Sequence, residues 1–383
     1  MRGAVFWEPG RPLTLEDFRM PRPKAGELLI KTKACGVCHS DLHVLKGELP
    51  FSSPCVVGHE ITGEVVDHGT HTPAEIINRF PVGSHVVGAF IMPCGNCFYC
   101  VKGQEDLCES FFAYNRAKGT LYDGQTRLFL RSNGKPVYMY SMGGLAEYCV
   151  VPANALAVLP NSLPYTESAI LGCAVFTAYG ALRHAAEMRA GDSLAVIGVG
   201  GVGSSCLQIA KAFGASEVIA VDVLDEKLQN ARTLGATHTV NAAKEDAVEK
   251  IKLFENSARM GMWSEVVAIS ALAEALAKVW FQAPAAGVTC MLIGDSAIGH
   301  RRSIYGGTTA RSFNQLAHFT GRQRASTHGD FRRRQQIDFP AYSSIASWHG
   351  SESSSQTAAP HQAMVSIQYV LPQPMKFDNA GVR

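Results

Sequence analysis

The chain has 383 residues, 46% of them hydrophobic, and a formal net charge of +2. That content suffices for a well-buried core and two domains, and the near-balance of charge excludes any general argument for a nucleic-acid or anionic-membrane partner. No run of about 20 apolar residues marks a membrane span. The start, M-R-G-A-V-F-W-E-P-G, lacks the basic and apolar blocks of a signal peptide, so a cytoplasmic setting is expected. Eleven cysteines are many for a reducing compartment unless metal holds some of them.

Residues 1–164 are predicted as a β-rich domain. Short β-like runs (E-L-L-I-K-T-K-A, I-T-G-E-V-V-D, S-H-V-V-G-A-F-I) alternate with turn formers such as P-V-G, a pattern of irregular, barrel-like strands. From Tyr165 the texture changes. Residues 165–189 read as helical, L-A-V-I-G-V as a short buried strand, S-S-C-L-Q-I-A-K-A-F-G as an amphipathic helix ended by Gly214, and E-V-I-A-V-D as a second strand. Strand, glycine turn, helix and strand make a βαβ unit. A helix over 225–234 and a strand at A-T-H-T-V-N follow. Past Lys252 the pattern thins, keeping a strand at W-S-E-V-V-A-I-S, a helix at L-A-E-A-L-A-K-V-W-F and a strand at V-T-C-M-L-I-G. Residues 300–383 are rich in Arg, Ser, Gln and His without sustained periodicity and read as a largely irregular tail. A nucleic-acid arm is the poorer reading of that tail.

Three constellations carry chemistry. In C-G-N-C-F-Y-C-V-K-G-Q-E-D-L-C, residues 94–108, four thiolates (Cys94, Cys97, Cys100, Cys108) on one short lobe can close a tetrahedral zinc site. A closed site leaves no position for substrate, so its role is structural. Unrelated loop cysteines and an iron–sulfur cluster are the weaker readings. The second group is scattered: Cys38 with His39, Ser40, Asp41 and His43; G-H-E at 58–60; and Cys173 in L-G-C-A-V-F-T-A-Y-G. Singly, His59 reads as a structural histidine and Cys173 as a core cysteine. Together they offer thiolate, imidazole and thiolate, which suits zinc with one position open. Cys35 and Cys38 also spell C-x-x-C, but no thioredoxin-like βαβ frames them.

The third is G-V-G-G-V-G, residues 198–203, which follows a predicted strand, opens a predicted helix and meets Asp222 about 20 residues on. Gly198 permits the tight turn, Gly200 the close approach of a pyrophosphate, with Gly201 beside it, and Gly203 the packing of helix on strand. Asp222 can accept hydrogen bonds from an adenosine ribose and would repel a 2′-phosphate, which favours NAD over NADP.

On these motifs, and on R-A-K-G-T-L-Y-D-G-Q-T-R after the lobe, residues 1–250 resemble the zinc-dependent medium-chain alcohol dehydrogenases; the wording is most similar to a plant subgroup. The resemblance implies an α/β fold: a GroES-like barrel domain over 1–164, and a Rossmann-type doubly wound parallel sheet over 165–299, divergent from 252 and incomplete at its C-terminal end. It implies two zinc ions per chain and NAD. Catalytic zinc would rest on Cys38, His59 and Cys173, with Glu60 behind the metal and Asp41 orienting the ligand imidazole. Ser40 would hydrogen-bond the bound alcohol, and His43 would pass its proton to solvent through the cofactor ribose. His39 would contact the pyrophosphate, Thr177 would sit beside the nicotinamide, and Lys227 would join Asp222 at the adenosine ribose. The implied activity is hydride transfer between a zinc-bound alcohol or aldehyde and NAD(H), on a small-molecule substrate, in a homodimer.

Past residue 250 the family's wording is lost, and from 300 nothing of it is recognisable, including the usual dimer edge. An altered splice or a shifted reading frame would produce such a break. The competing reading is therefore a non-catalytic or impaired zinc protein whose cofactor domain is incomplete. Leu42, Phe90 and residues 111–114 are the expected borders of a substrate cleft, and the alcohol itself is not legible.

Overall fold

The ten-residue strand Glu27–Gly36 is the spine of the first part of the chain. Leu28, Ile30, Thr32 and Ala34 are at most 3% exposed while Lys31 and Lys33 are half-buried, a period-two pattern broken at Leu29, which is also buried and lies at a register shift. It pairs antiparallel with Glu60–His68, from Leu28 opposite His68 to Gly36 opposite Glu60, with two register shifts on the way. Such bulges bend and twist a strand, and they give the sheet the irregular character expected of the barrel. Tyr148–Pro152 pairs with the first half of the spine, and the two-residue strand Tyr369–Val370 with its end at Cys35 and Gly36.

The computed structural model describes residues 1–253, apart from 187, 248 and 252, together with the backbones of Glu265–Ala268, Thr289–Leu292, Ala310–Ser312 and Tyr369–Val370. Two compact units divide it. One runs from Met1 to Cys173 and takes in Tyr369–Val370; the other begins at Ala174. The first unit holds the spine sheet and a five-stranded sheet built on Arg2–Phe6, Thr14–Asp17, Cys55–Val56, Leu128–Phe129 and Pro136–Met139. Leu28, Ile30, Ile61, Phe80, Phe111 and Met139 are among its fully buried side chains.

The second unit is a six-stranded, all-parallel sheet. In space its strands run His238–Asn241, Glu217–Asp222, Ser193–Ile197, Glu265–Ala268, Thr289–Leu292 and Ala310–Ser312. In chain order that is 3-2-1-4-5-6, the doubly wound nucleotide-binding arrangement. Every residue of Ser193–Ile197 is buried, as a central parallel strand covered on both faces requires. The helices Gly201–Ala212 and Asp225–Thr233 connect the first three strands. The strand order is that of a full doubly wound sheet, and the outermost strand has three residues. That strand and Tyr369–Val370 both fall in the stretch read as irregular. The predicted helix at 272–281 lies outside the described residues.

One predicted element is broken. Residues 165–189 form a helical turn at Tyr165–Ser168, a 3₁₀ turn at Ala169–Gly172, a helix at Ala174–Gly180 and a π turn at Ala181–Ala185. The break is at Cys173, which has φ −136° and ψ −79°. The Gly172 carbonyl accepts the Phe90 N–H at 3.2 Å, so this backbone serves a neighbouring loop instead of a helix ladder. Among the described residues no helix is long and apolar enough to cross a membrane.

The stretch ending in D-G-Q-T-R earns its place in the fold through charge. Arg127, its side chain 5% exposed, holds Glu27 by two bonds (2.9 and 2.6 Å) and Asp123 by two more (3.3 and 3.0 Å). Lys24 reaches Asp123 at 2.6 Å and Gln125 at 2.8 Å. The start of the spine is thereby fastened to the chain that follows the cysteine lobe. Burial alone would raise the Asp123 carboxyl, but the bonds from Lys24 and Arg127 bring it down to about 2. Breaking a buried pair costs about 3–5 kcal/mol when one charge is left unpartnered. Arg127→Ala is accordingly expected to lower unfolding stability by about 3 kcal/mol in denaturant titration. A carboxyl depressed on folding stabilises above its unfolded value near 3.9 and loses that contribution as pH falls towards 2. Asp123→Asn should flatten this acid limb of the stability curve.

Candidate active site

Four donors from three segments converge in the first unit. The donor atoms of Cys38, His59, Glu60 and Cys173 all lie within 4.8 Å of one another. Register assembles the first three: pairing Gly36 with Glu60 sets Cys38, just past the end of the spine, beside the entry to Glu60–His68. Gly36 is required at that point. A Cβ there would lie 2.2 Å from Glu60 Oε2, so any other residue would displace the carboxylate. The reading of the sequence did not single out Gly36; the available signal was a glycine closing an apolar strand. Cys173 is delivered by the interruption of the 165–189 helix.

Asp41 organises this cluster. It lies in the first turn of the helix His39–Lys46, whose N-cap is Cys38, and is 1% exposed. Its Oδ2 accepts the Cys38 N–H at 3.2 Å, and its Oδ1 accepts the Gly58 N–H at 2.9 Å and faces His59 Nδ1 at 3.2 Å. With Nδ1 turned to Asp41, Nε2 is the ring atom left to face the other donors. His59 Nε2 is fully buried and has no hydrogen-bond partner among the described residues. A buried nitrogen in that state costs about 1–3 kcal/mol, and a metal ion among these donors removes the deficit. The chemistry of the set therefore fits zinc.

Charge in the cluster follows from proximity and burial. Cys38 is pushed well below the usual thiol range, first by the hydrogen bond from Cys173 and then by His59, against the opposing effect of burial. Cys173 is pushed up by giving that hydrogen bond and by burial. Burial also opposes charge on His59, but Asp41 and Cys38 outweigh it and raise the imidazole. Burial, then the Cys38 charge, raises Glu60 to about 7. Cys35 is a different case: 2% exposed and raised chiefly by burial, it is a core residue. The Phe90 ring packs 4.5 Å from the His59 ring, with Tyr140 and Phe111 behind it at 5.8 and 5.9 Å. Phe111 is itself buried, so of the expected cleft borders it supports Phe90 from the core side.

Ser40 and His43, three residues apart, share a flank of the helix His39–Lys46. The exposed His39 ring stands 4.9 Å from the His43 ring, and His43 Nδ1 pairs with Glu48, a residue not anticipated from the sequence.

The second cluster is the lobe. Sγ atoms of Cys94, Cys97, Cys100 and Cys108 lie within 4.8 Å of one another, Cys94 and Cys100 at 4.0 Å. Tetrahedral zinc with bonds of about 2.3 Å has sulfurs about 3.8 Å apart, so the spacing fits. The backbone N–H groups of Cys94 and Phe111 donate to Cys108 Sγ at 3.2 and 3.4 Å. Burial works against the Cys94 thiolate, but the Ser110 side chain and the Asn96 and Cys97 amides bring it down to about 6.

In the second unit the glycine turn follows Ser193–Ile197, the strand at which the sheet order reverses and where ligands bind in such folds. Gly198 has φ +88°, and a Cβ on Gly203 would meet the Gly198 carbonyl at 2.0 Å. Gly200 is different. Its φ of −74° suits any residue, and among the described residues nothing lies within 4 Å of its Cβ position. Gly201 would meet only Ala174 at 4.0 Å. Packing among the described residues demands no glycine at 200 or 201, whereas the close approach of a phosphate to the backbone would. Asp222 Oδ2 accepts the Val199 N–H at 3.0 Å, Oδ1 accepts Val223 and Leu224 at 2.8 and 3.1 Å, and Lys227 Nζ stands 3.9 Å from Oδ2. Asp222 thus braces the turn as well as marking the strand end. Thr177 is half-buried on Ala174–Gly180.

The alcohol dehydrogenase GroES-like domain matches residues 24–161, and the zinc-binding dehydrogenase domain matches residues 201–294. S-(hydroxymethyl)glutathione dehydrogenase of Escherichia coli is 36% identical over 242 residues, 63% of either chain. NDMA-dependent alcohol dehydrogenase of Amycolatopsis methanolica is 34% identical over 252 residues, 66% of either chain. The match thus spans under two thirds of these curated relatives' own length. Among solved structures, an alcohol dehydrogenase zinc-binding domain protein from Burkholderia ambifaria superposes with TM-score 0.73 at 29% identity, over 83% of this chain and 86% of that one. Benzyl alcohol dehydrogenase from Acinetobacter calcoaceticus gives 0.68 at 28%, over 82% and 80%. The chain thus holds a barrel unit with two zinc-competent clusters and a doubly wound sheet of the nucleotide-binding order. The chain belongs to the zinc-dependent medium-chain alcohol dehydrogenase family.

Because Asp41 holds the ligand imidazole through Nδ1, Asp41→Asn should weaken zinc at the Cys38 cluster about 10-fold or more. Titration with a chelator should then remove one of two zinc ions early, with the lobe's zinc retained.

Proposed function

We propose that this chain is an NAD-dependent zinc alcohol dehydrogenase acting on a small-molecule alcohol or aldehyde. The observation that carries the reading is the buried, unpartnered His59 Nε2 among three further donors. In this reading Cys38, His59 and Cys173 hold the catalytic zinc, with Glu60 behind it, and the four lobe cysteines hold the structural one. Zinc held there supplies Lewis acidity, and NAD supplies the hydride acceptor.

The chain's own residues do the rest. Asp41 fixes the His59 tautomer and, through the Cys38 and Gly58 amides, the distance between two ligand-bearing loops. Ser40 accepts the proton of the substrate hydroxyl, and His43 takes it onward towards solvent. Phe90 gives the site an apolar wall. His39, Gly200 and Gly201 receive the pyrophosphate, Thr177 borders the nicotinamide, and Asp222 with Lys227 takes the adenosine ribose. A cytoplasmic homodimer is the setting that the family resemblance implies.

Purified protein should contain two zinc ions per chain, bind NADH saturably, and reduce NAD in preference to NADP with an alcohol panel that includes benzyl alcohol and S-(hydroxymethyl)glutathione. Zinc without NADH binding would sink this reading in favour of the impaired zinc protein. A sharper test separates fold from cofactor. Since a Cβ at 200 meets nothing, Gly200→Ala should leave the Tm unchanged while weakening NADH binding about tenfold. Equal losses in both would show that the glycine serves folding alone.

A further inference from the structure

The helix His39–Lys46 ends at Gly47, whose left-handed backbone (φ 74°) turns the chain back on itself. The Leu49 N–H closes the turn on the His43 carbonyl at 3.1 Å, and the Leu49 side chain is 8% exposed, anchoring it. Glu48 is the residue between Gly47 and Leu49 in this turn, and its side chain is exposed. Its carboxylate is brought by the backbone against the His43 ring, where Oε2 pairs with Nδ1. Lys46 Nζ stands 4.0 Å from Oε1, and the His39 ring 4.9 Å from the His43 ring. The hydrogen bond from His43, with Lys46 beside it, holds the Glu48 carboxyl below its ordinary range. An ionised carboxylate can only accept, so the ring nitrogen facing it carries the hydrogen.

We propose that Glu48 is a positioning residue that fixes His43 as the Nδ1–H tautomer and so makes Nε2 the proton-accepting atom of the path from the substrate hydroxyl. This rests on the reading of His43 as a proton acceptor. In alcohol oxidation the substrate O–H bond breaks, and the proton, accepted first by Ser40, ends on Nε2, whose lone pair forms the new N–H bond. The ring then carries a positive charge that the Glu48 carboxylate faces. The same proton leaves Nε2 for solvent, restoring the starting tautomer. A surface ion pair with no other role contributes little to stability and imposes no choice of ring nitrogen on catalysis.

The test uses the zinc-loaded full chain labelled with ¹⁵N at histidine, the His43 signals being those lost in His43→Gln. The wild type should carry the ring hydrogen on Nδ1. Glu48→Gln, whose amide oxygen still accepts, should keep it there. Glu48→Ala should move it towards Nε2 and lower kcat for alcohol oxidation about tenfold, with KM for NAD within about twofold. An unchanged tautomer in Glu48→Ala overturns the proposal, as does a Glu48→Gln variant as slow as Glu48→Ala. A His43→Gln variant that oxidises alcohol at the wild-type rate overturns the proton-path reading instead, whatever the tautomer.

Discussion

The Asp41 carboxylate is the interaction on which the first unit's site depends. A buried carboxylate is tolerated only when its lone pairs are taken, and here three donors from two segments take them: the amides of Cys38 and Gly58 and the His59 ring. One of those bonds caps a helix, one pins the loop that carries His59, and one sets the tautomer of a donor nitrogen. The three cannot be loosened separately. A shift of Asp41 moves Cys38 and His59 together, which is how residues scattered along the chain are held in one arrangement.

The second unit uses the same device. Asp222 ends a strand, takes three backbone N–H groups, and braces the glycine turn through Val199. An acid at this position is commonly read as a ribose acceptor, but its bonds here show that it also shapes the turn. The two uses are compatible because a carboxylate offers about four lone-pair sites. In both units, then, a nearly buried carboxylate converts loop backbone into a fixed surface, and the chemistry-bearing groups ride on that surface.

Much of this was legible in the sequence, and the reasons are local. The lobe is spelled within fifteen residues, G-V-G-G-V-G is flanked by an apolar run and an amphipathic one, and the strand Glu217–Asp222 coincides with its motif. What was not legible depends on partners remote in sequence. The helix at 165–189 breaks because Gly172 serves the Phe90 amide, and no periodicity within the segment records that. Gly36 matters only because Glu60 lies opposite in a register that the strands set between them. Arg127 and Glu27 are a hundred residues apart, so their pairing left no trace beyond a familiar string. The strands Ala310–Ser312 and Tyr369–Val370 are too short to show alternation at all.

The two metal-competent clusters differ in the same way, with an energetic consequence. The cost of bringing chain ends together grows with the length of the loop closed. The lobe's donors run from Cys94 to Cys108, so its metal can be gathered by a short segment and its binding energy goes into ordering that segment. The other cluster runs from Cys38 to Cys173 and exists only when the spine, its partner strand and the 3₁₀ turn are in place. A metal there binds the folded unit and stabilises it by mass action. The four sulfurs of the lobe are backed by main-chain amides and leave nothing for a substrate to displace. The sulfur, nitrogen and oxygen set at Cys38 is backed by Asp41 and walled by Phe90, and it includes in Glu60 a donor that a substrate oxygen can replace. Local spacing thus gathers one cluster within a single lobe, and long-range register assembles the other from three segments.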